Sequence, residues 1–169
     1  MSGAILFPGQ GAQAHGMGMD IVGSDPAASK VFDEASEILN VNLRAQINSV
    51  NPGELDRTDV CQPAILATSI ATLEALTARG IVHQTHVTAV AGLSLGEYTA
   101  LCYSGALSLE DALRLVQVRG QAMQAASDQV QSGMCSLIGV NAQTAAQLCD
   151  EAKEGEVLLV ANHLGEKQV

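Results

Sequence analysis

The pentapeptide Gly92-Leu93-Ser94-Leu95-Gly96 has the G-x-S-x-G spacing in which a serine can act as a nucleophile. It stands between a short apolar run, residues 87–91, and a helix-forming stretch that begins at Glu97. A serine on a sharp turn from a strand into a helix has a strained backbone that only small neighbours permit, and its hydroxyl is left exposed. This context predicts Ser94 as the nucleophile, and a plain glycine-rich turn is the alternative.

Arg119 is the second residue whose surroundings point to chemistry. The sequence predicts a helix from Ser108, whose hydroxyl can cap it, to about residue 126. Arg119 falls in line with the apolar stripe expected on that helix, which comprises Ala112, Val116, Met123 and Ala126. No acid stands three or four positions away, so the guanidinium needs an anion from elsewhere. The spacing leaves two sources equally open, a carboxylate of another element or the carboxylate of a ligand.

A glycine-rich loop, residues 8–18, follows a predicted first strand, residues 4–7. Its backbone N–H groups suit either a phosphate cradle or an oxyanion hole. The start of the loop matches a dinucleotide-binding fingerprint, but Gly16 and Gly18 would fall inside the helix that this fingerprint requires. An oxyanion hole is the better interpretation once Ser94 is taken as the nucleophile.

Composition limits the class of protein. The chain has 169 residues, 47% of them hydrophobic, which is enough to bury a sizeable core. Its formal net charge is -10 and its lysines and arginines form no cluster, so we expect no nucleic-acid partner. Residues 1–8 lack the cationic start of a signal peptide, and no apolar run is long enough to cross a membrane. We therefore expect a soluble, cytoplasmic protein.

The four cysteines contain no C-x-x-C pair and have no histidine at metal-ligand spacing. Neither a metal site nor a redox dithiol is therefore expected. The sequence predicts reduced, mostly buried thiols at Cys61, Cys102, Cys135 and Cys149.

Strand, loop and helix signals alternate along the chain, which is typical of an α/β fold. One helix is expected over residues 26–40 with Ser24 or Asp25 as its cap, and an almost wholly apolar helix over residues 62–79. Beyond Gly133 the pattern predicts a small β-α-β unit. Its parts are a strand at residues 134–140, a helix at 142–153 capped by Asn141, and a strand at 157–161.

Three segments follow one another in a characteristic order. They are Phe7-Pro8-Gly9-Gln10-Gly11-Ala12-Gln13, Gly92-Leu93-Ser94-Leu95-Gly96-Glu97-Tyr98 and Leu115-Val116-Gln117-Val118-Arg119-Gly120-Gln121-Ala122-Met123. Together they resemble the malonyl-CoA:acyl carrier protein transacylases, and residues 161–169 are similar to a later segment of that family. The resemblance implies an α/β fold with a hydrolase-like parallel-sheet core, residues 1–128. Residues 129–169 would then be the first part of an inserted ferredoxin-like subdomain, truncated in this chain.

The same resemblance implies a role for each matching position. Ser94 would accept the acyl group, Arg119 would hold the malonyl carboxylate, and the backbone amides of Gln10 and Leu95 would form the oxyanion hole. The substrates implied are a CoA thioester, malonyl-CoA, and the phosphopantetheine thiol of acyl carrier protein, in fatty acid or polyketide synthesis. No permanently bound cofactor and no metal are expected.

One catalytic group of the family has no counterpart in the chain. The family's catalytic histidine lies beyond residue 169, and none of the four histidines, His15, His83, His86 and His163, matches it. We therefore expect the isolated chain to be inactive and to need the missing carboxy-terminal half as a partner. Two alternatives stay open: a serine esterase of the α/β-hydrolase class, which has no use for Arg119, and the non-catalytic half of a split acyltransferase.

Overall fold

A computed structural model describes residues 3–51 and 53–169, so Met1, Ser2 and Pro52 lie outside the described residues. The chain divides after Val130 into two compact units. The elements of the first unit are β1 (Gly3–Phe7), α1 (Met19–Ser24), α2 (Pro26–Leu39), α3 (Leu43–Ile47), α4 (Thr58–Ala78), a 3-10 turn (Gln84–His86), β2 (Val87–Gly92), α5 (Leu95–Tyr103) and α6 (Leu109–Ser127). The second unit, Gln131–Val169, contains α7 (Ala142–Ala152).

Strands β1 and β2 pair in parallel, with Phe7 opposite Gly92. Because parallel strands end at the same edge of a sheet, the loop after β1 lies beside the turn from β2 into α5. The α/β class predicted from the sequence is confirmed by this arrangement of helices around a parallel sheet. Within the described residues this sheet has two strands, and the side chain of Leu6 on β1 is 77% exposed. The hydrolase-like sheet stays a prediction.

Helix α4 is the core of the first unit. It packs against α2 on one side and α6 on the other, and Cys61, Ile65 and Leu66 are among its fully or almost fully buried side chains. By length and composition alone α4 could cross a membrane, but 61% of its apolar window is buried inside the fold. It begins four residues before the predicted start, because the polar Thr58 and Asp59 give its first turn no apolar pattern.

Two predicted helix caps in the first unit are confirmed. The carboxylate of Asp25 accepts a hydrogen bond from the N–H of Ala27 at 3.0 Å, and the hydroxyl of Ser108 accepts one from the N–H of Asp111 at 3.0 Å. Asp25 also pairs with Arg79 at 3.0 Å. Burial opposes ionisation of Asp25, but the bond from Arg79 and the backbone N–H groups outweigh it, so the pKa of Asp25 is lowered.

The apolar stripe predicted on α6 is partly wrong. Its buried face comprises Ala112, Leu113, Val116 and Gly120. By contrast, Met123 is 41% exposed, and Ala126 is also exposed. Gly120 belongs to the buried face because α6 approaches α4 closely there, and a Cβ on it would lie 2.8 Å from the Thr58 carbonyl oxygen.

The second unit contains the predicted helix but not the predicted strands. Asn141 caps α7, accepting from the N–H of Thr144 at 2.9 Å. Residues 134–140 and 157–161 form no strand, and the pairing seen is a short antiparallel contact in which Leu137 and Val169 exchange backbone hydrogen bonds of 2.9 and 3.1 Å. Gly139, with φ of 86°, interrupts the first apolar run. The ferredoxin-like assignment stays a prediction.

The prediction of mostly buried cysteines is wrong. Cys61 is buried, Cys102 and Cys149 are half-buried, and Cys135 is exposed. Burial, with a smaller effect of the nearby Asp56 charge, raises the pKa of Cys61 to about 11. Cys61 lies on the core helix α4, four residues of which precede the predicted start, whereas Cys135 lies in the stretch whose predicted strand does not form.

Candidate active site

Ser94 stands on the turn between β2 and α5 with a backbone that few residues adopt. Its φ is 54° and its ψ is -103°. Two flanking glycines make the turn possible, since a Cβ on Gly92 would lie 2.1 Å from the carbonyl carbon of Gly96, and one on Gly96 would lie 2.4 Å from the Phe7 carbonyl oxygen. The Ser94 N–H donates to the Glu97 carboxylate at 2.9 Å, which fixes the turn from the helix side. The serine is exposed.

The glycine-rich loop touches this turn directly. A Cβ on Gly9 would lie 2.7 Å from the carbonyl oxygen of Leu93, so only glycine permits the approach. Among the residues that the structure describes, none accepts a hydrogen bond from the backbone N–H of Gln10 or of Leu95. Both amides therefore have a free donor at the edge of the sheet where Ser94 stands.

Arg119 lies against the serine. Its Nη2 donates to the Ser94 Oγ at 2.7 Å, its Nη1 donates to the side-chain carbonyl of Gln62, and its guanidinium carbon lies 5.5 Å from the centre of the Tyr98 ring. None of the ion pairs found in the described part of the chain includes Arg119. Of the two anion sources left open by the sequence, a carboxylate of the protein is therefore not seen at this guanidinium.

Gln62 is the site residue that sequence analysis missed. It lies on α4, its side chain is completely buried, and besides accepting from Arg119 it donates through Nε2 to the Gln10 side-chain carbonyl at 3.2 Å. The same Nε2 lies 3.3 Å from the Met123 sulfur. A signal was present in the sequence, because a glutamine inside an otherwise apolar helix must find hydrogen-bond partners when it is buried.

The histidines of the first unit stand apart from this group. His15, His83 and His86 are exposed, and none of the hydrogen bonds described for that unit joins one of them to Ser94. His83 and His86 lie edge to face, with ring centres 5.5 Å apart. The site thus contains a hydroxyl, a fixed positive charge and free backbone donors, which together can bind and polarise a carbonyl compound that carries an anion.

Comparisons with known proteins identify the family to which the chain is related. Residues 5–166 match the family model described as an acyl transferase domain. The malonyl CoA-acyl carrier protein transacylase of Bacillus subtilis is 41% identical over 160 residues, which are 94% of this chain and 49% of that protein. The acyl-carrier-protein S-malonyltransferase of Bartonella henselae, known as a crystal structure, is 38% identical, with a TM-score of 0.87 over 99% of this chain and 54% of that one.

A third relative was solved as a complex. It is a malonyl-transacylase bound to a type II polyketide acyl-carrier protein, 32% identical with a TM-score of 0.84 over 99% of this chain and 53% of that one. The chain thus spans about half the length of the relatives that it matches. These relatives are acyltransferases, and the resemblance seen in the three sequence motifs is confirmed. The chain belongs to the acyl transferase domain family.

Proposed function

We propose that this chain supplies the nucleophile, the oxyanion hole and the carboxylate clamp of an enzyme that transfers malonyl groups from malonyl-CoA to acyl carrier protein. The observation that carries the proposal is the 2.7 Å contact between the Arg119 guanidinium and the Ser94 hydroxyl. It places a positive charge, uncancelled by any described carboxylate, beside the nucleophile. The names of the relatives support the substrates, and the complex with a polyketide carrier protein supports the partner.

The reaction proceeds by two substitutions at one carbonyl carbon. The Ser94 oxygen attacks the thioester carbonyl, the C–S bond breaks, and CoA leaves as the thiol with the serine proton. The phosphopantetheine thiol of the carrier protein then attacks the serine ester, and Ser94 recovers its proton. In both steps the negative charge on the carbonyl oxygen is stabilised by the backbone N–H groups of Gln10 and Leu95. No permanently bound cofactor takes part.

The proton acceptor is the histidine that the family resemblance places after residue 169. Without a base a serine hydroxyl is a poor nucleophile near neutral pH, and losing that partner typically lowers the rate by several orders of magnitude. The reaction therefore requires the segment that aligns with the second half of the relatives. A polypeptide containing this chain and that segment is called the full-length protein below, and we place it in the cytoplasm.

Two other functions compete with this one. A serine esterase would use the same turn and the same amides, but a guanidinium beside the nucleophile gives it no advantage on an uncharged acyl group. The non-catalytic half of a split acyltransferase would keep the site without using it. The absence of a bond from His15, His83 or His86 to Ser94 in the first unit favours this second alternative for the isolated chain.

Mass spectrometry after incubation with malonyl-CoA tests the proposal. We expect a malonyl adduct on the Ser94 peptide of the full-length protein, none on Ser94→Ala, and none on the isolated chain. Ser104→Ala is a matched control, because Ser104 is an exposed serine at the far end of α5 and should leave the adduct unchanged. Strong labelling of the isolated chain would contradict the missing base, and an adduct surviving in Ser94→Ala would contradict the nucleophile.

A further inference from the structure

The buried side chain of Gln62 connects the two parts of the candidate site. Its carbonyl accepts from Arg119, and its amide donates to Gln10, whose own amide lies 3.4 Å from the Thr58 hydroxyl. Gln62 has no exposed surface, whereas Arg119 is half-buried and Gln10 is exposed. A fully buried amide on the core helix is therefore held between the guanidinium and the oxyanion loop.

The direction of these hydrogen bonds is fixed by chemistry. A guanidinium has donors and no acceptor, so the Gln62 atom facing Arg119 must be the carbonyl oxygen. The Gln62 amide then faces Gln10, which presents its carbonyl in turn. The row of hydrogen bonds from Arg119 through Gln62 to Gln10 therefore has only one possible orientation. A change at Gln62 affects both of these bonds.

The usual partner of a half-buried arginine is a carboxylate, and here an amide takes that position. A carboxylate would hold the guanidinium equally well, but it would cancel the positive charge. The neutral carbonyl of Gln62 satisfies one side of the guanidinium and leaves the charge for an incoming anion. We infer that Gln62 is a positioning residue that orients Arg119 without neutralising it and thereby sets the preference for acyl groups that end in a carboxylate. This inference rests on the proposed function of Arg119.

Two substitutions at Gln62 separate orientation from charge. Gln62→Met keeps the approximate shape and removes the acceptor, so we expect the ratio of malonyl to acetyl transfer in the full-length protein to fall about tenfold. Gln62→Glu keeps the acceptor but adds a competing carboxylate, so we expect that ratio to fall about a hundredfold. A purely structural role predicts the opposite order, because glutamate preserves the bond to Arg119 and methionine does not.

The ratio is measured as kcat/KM for malonyl-CoA over kcat/KM for acetyl-CoA in one preparation. Partial unfolding lowers both rates together and leaves the ratio unchanged. Gln121→Glu is the matched charge control, since Gln121 is exposed on α6 two residues after Arg119 and should leave the ratio as in the wild type. An unchanged ratio in both Gln62 variants, or a smaller fall for Gln62→Glu than for Gln62→Met, would overturn the inference.

A double substitution distinguishes this inference from the function on which it rests. In an Arg119→Ala background there is no guanidinium to neutralise, so adding Gln62→Glu should not lower the ratio further. A further fall there would show that Gln62 acts by another route and would overturn the inference alone. If Arg119→Ala by itself leaves the ratio at the wild-type value, the proposed clamp fails. Calorimetric binding of malonyl-CoA and acetyl-CoA gives the same comparison if a variant transfers neither group.

Discussion

Arg119 contacts three neutral groups and no described carboxylate. A hydroxyl and an amide carbonyl accept its hydrogen bonds, and the face of Tyr98 lies 5.5 Å from its guanidinium carbon. Each contact orients the planar group, and none removes its charge. In the proposed function, the malonyl carboxylate would replace the serine hydroxyl as the acceptor of this guanidinium.

Removing that guanidinium should change selectivity more than stability. For Arg119→Ala in the full-length protein we expect malonyl transfer to fall on the order of a hundredfold, because a charge-assisted contact worth roughly 1.5 to 3 kcal/mol is lost. Acetyl transfer should be unchanged or rise, since acetyl has no carboxylate to hold. Steady-state transfer rates with malonyl-CoA and with acetyl-CoA test this prediction.

Arg114→Ala is the control for that substitution. Arg114 lies on the same helix and pairs with Glu110 on the surface, so its loss removes the same charge without touching the site. Both transfer rates should stay near those of the wild type. Equal losses of malonyl and acetyl transfer in Arg119→Ala would mean that Arg119 is structural.

At the scale of elements, glycines set the distances between the parts that carry the site. Gly9 brings the loop after β1 against the turn at Leu93, and Gly120 brings α6 against the start of α4. Gly120 directly follows Arg119, so the close approach of the two helices also fixes where the guanidinium lies. The same contact brings Gln124 close to Thr58, whose backbone N–H donates to the Gln124 side-chain carbonyl at 2.9 Å.

Gly120→Ala should therefore be destabilising although alanine favours helices. Its Cβ would lie 2.8 Å from the Thr58 carbonyl oxygen and 2.9 Å from the Asp59 Cα, so the helices must separate. Overpacking of this kind typically costs about 1 to 3 kcal/mol, and the urea midpoint should fall accordingly. Gly23→Ala is the control, because Gly23 lies in α1 with nothing within 4 Å of an added Cβ. It should be neutral or slightly stabilising, and an equal loss in both variants would contradict the packing argument.

The elements that could be predicted from the sequence have an apolar pattern or a clear cap. Helices α2, α4, α6 and α7 and strands β1 and β2 fall into this group. The short α1 and α3 were not predicted, because five or six residues are too few to show a period. The two strands expected after Gly133 fail for another reason, since a strand needs a neighbour to pair with and local apolar character does not supply one.

Some residues of the candidate site could likewise be predicted from the sequence, and others could not. Ser94 and Arg119 could be singled out from their own neighbours in the chain, and the structure brings them into contact. The connection through Gln62 could not be predicted from the sequence, because Gln10, Gln62 and Arg119 lie on three separate parts of the chain. Their contacts depend on how α4 packs between the sheet loop and α6, which no local pattern encodes.

At the scale of the first unit, the buried thiol of Cys61 makes stability depend on alkaline pH. Its folded pKa of about 11 lies above the ordinary value of 9.0, so the unfolded chain loses the thiol proton first. The protonated thiol costs the fold nothing below about pH 9, and the free energy of unfolding falls as the pH rises from 9 through 11, by roughly 3 kcal/mol at most. Urea unfolding at about pH 8 and about pH 10.5 should show this loss.

Tyrosines and lysines titrate in the same range, so variants must isolate the thiol. Cys61→Ala should be less stable than the wild type at both pH values because it leaves a cavity. Its free energy of unfolding should nevertheless fall less between the lower and the higher pH than that of the wild type. Cys135→Ala removes an exposed thiol and should keep the wild-type difference. If Cys61→Ala and the wild type lose equal stability, Cys61 is not the group responsible.

The parallel pairing of β1 with β2 also determines when the site can form during synthesis. The Thr88 hydroxyl donates to the Gly3 carbonyl, 85 positions earlier in the chain, and helices α1 to α4 all lie between the two strands. Contacts so distant along the chain are slow to form, because loop closure costs entropy before any bond is gained. On the ribosome, α2 and α4 can pack together as soon as α4 has emerged. The loop at Gly9 has no turn to lie against until β2 follows, so Ser94 and the backbone N–H of Gln10 come together only after α2 and α4 can already have packed.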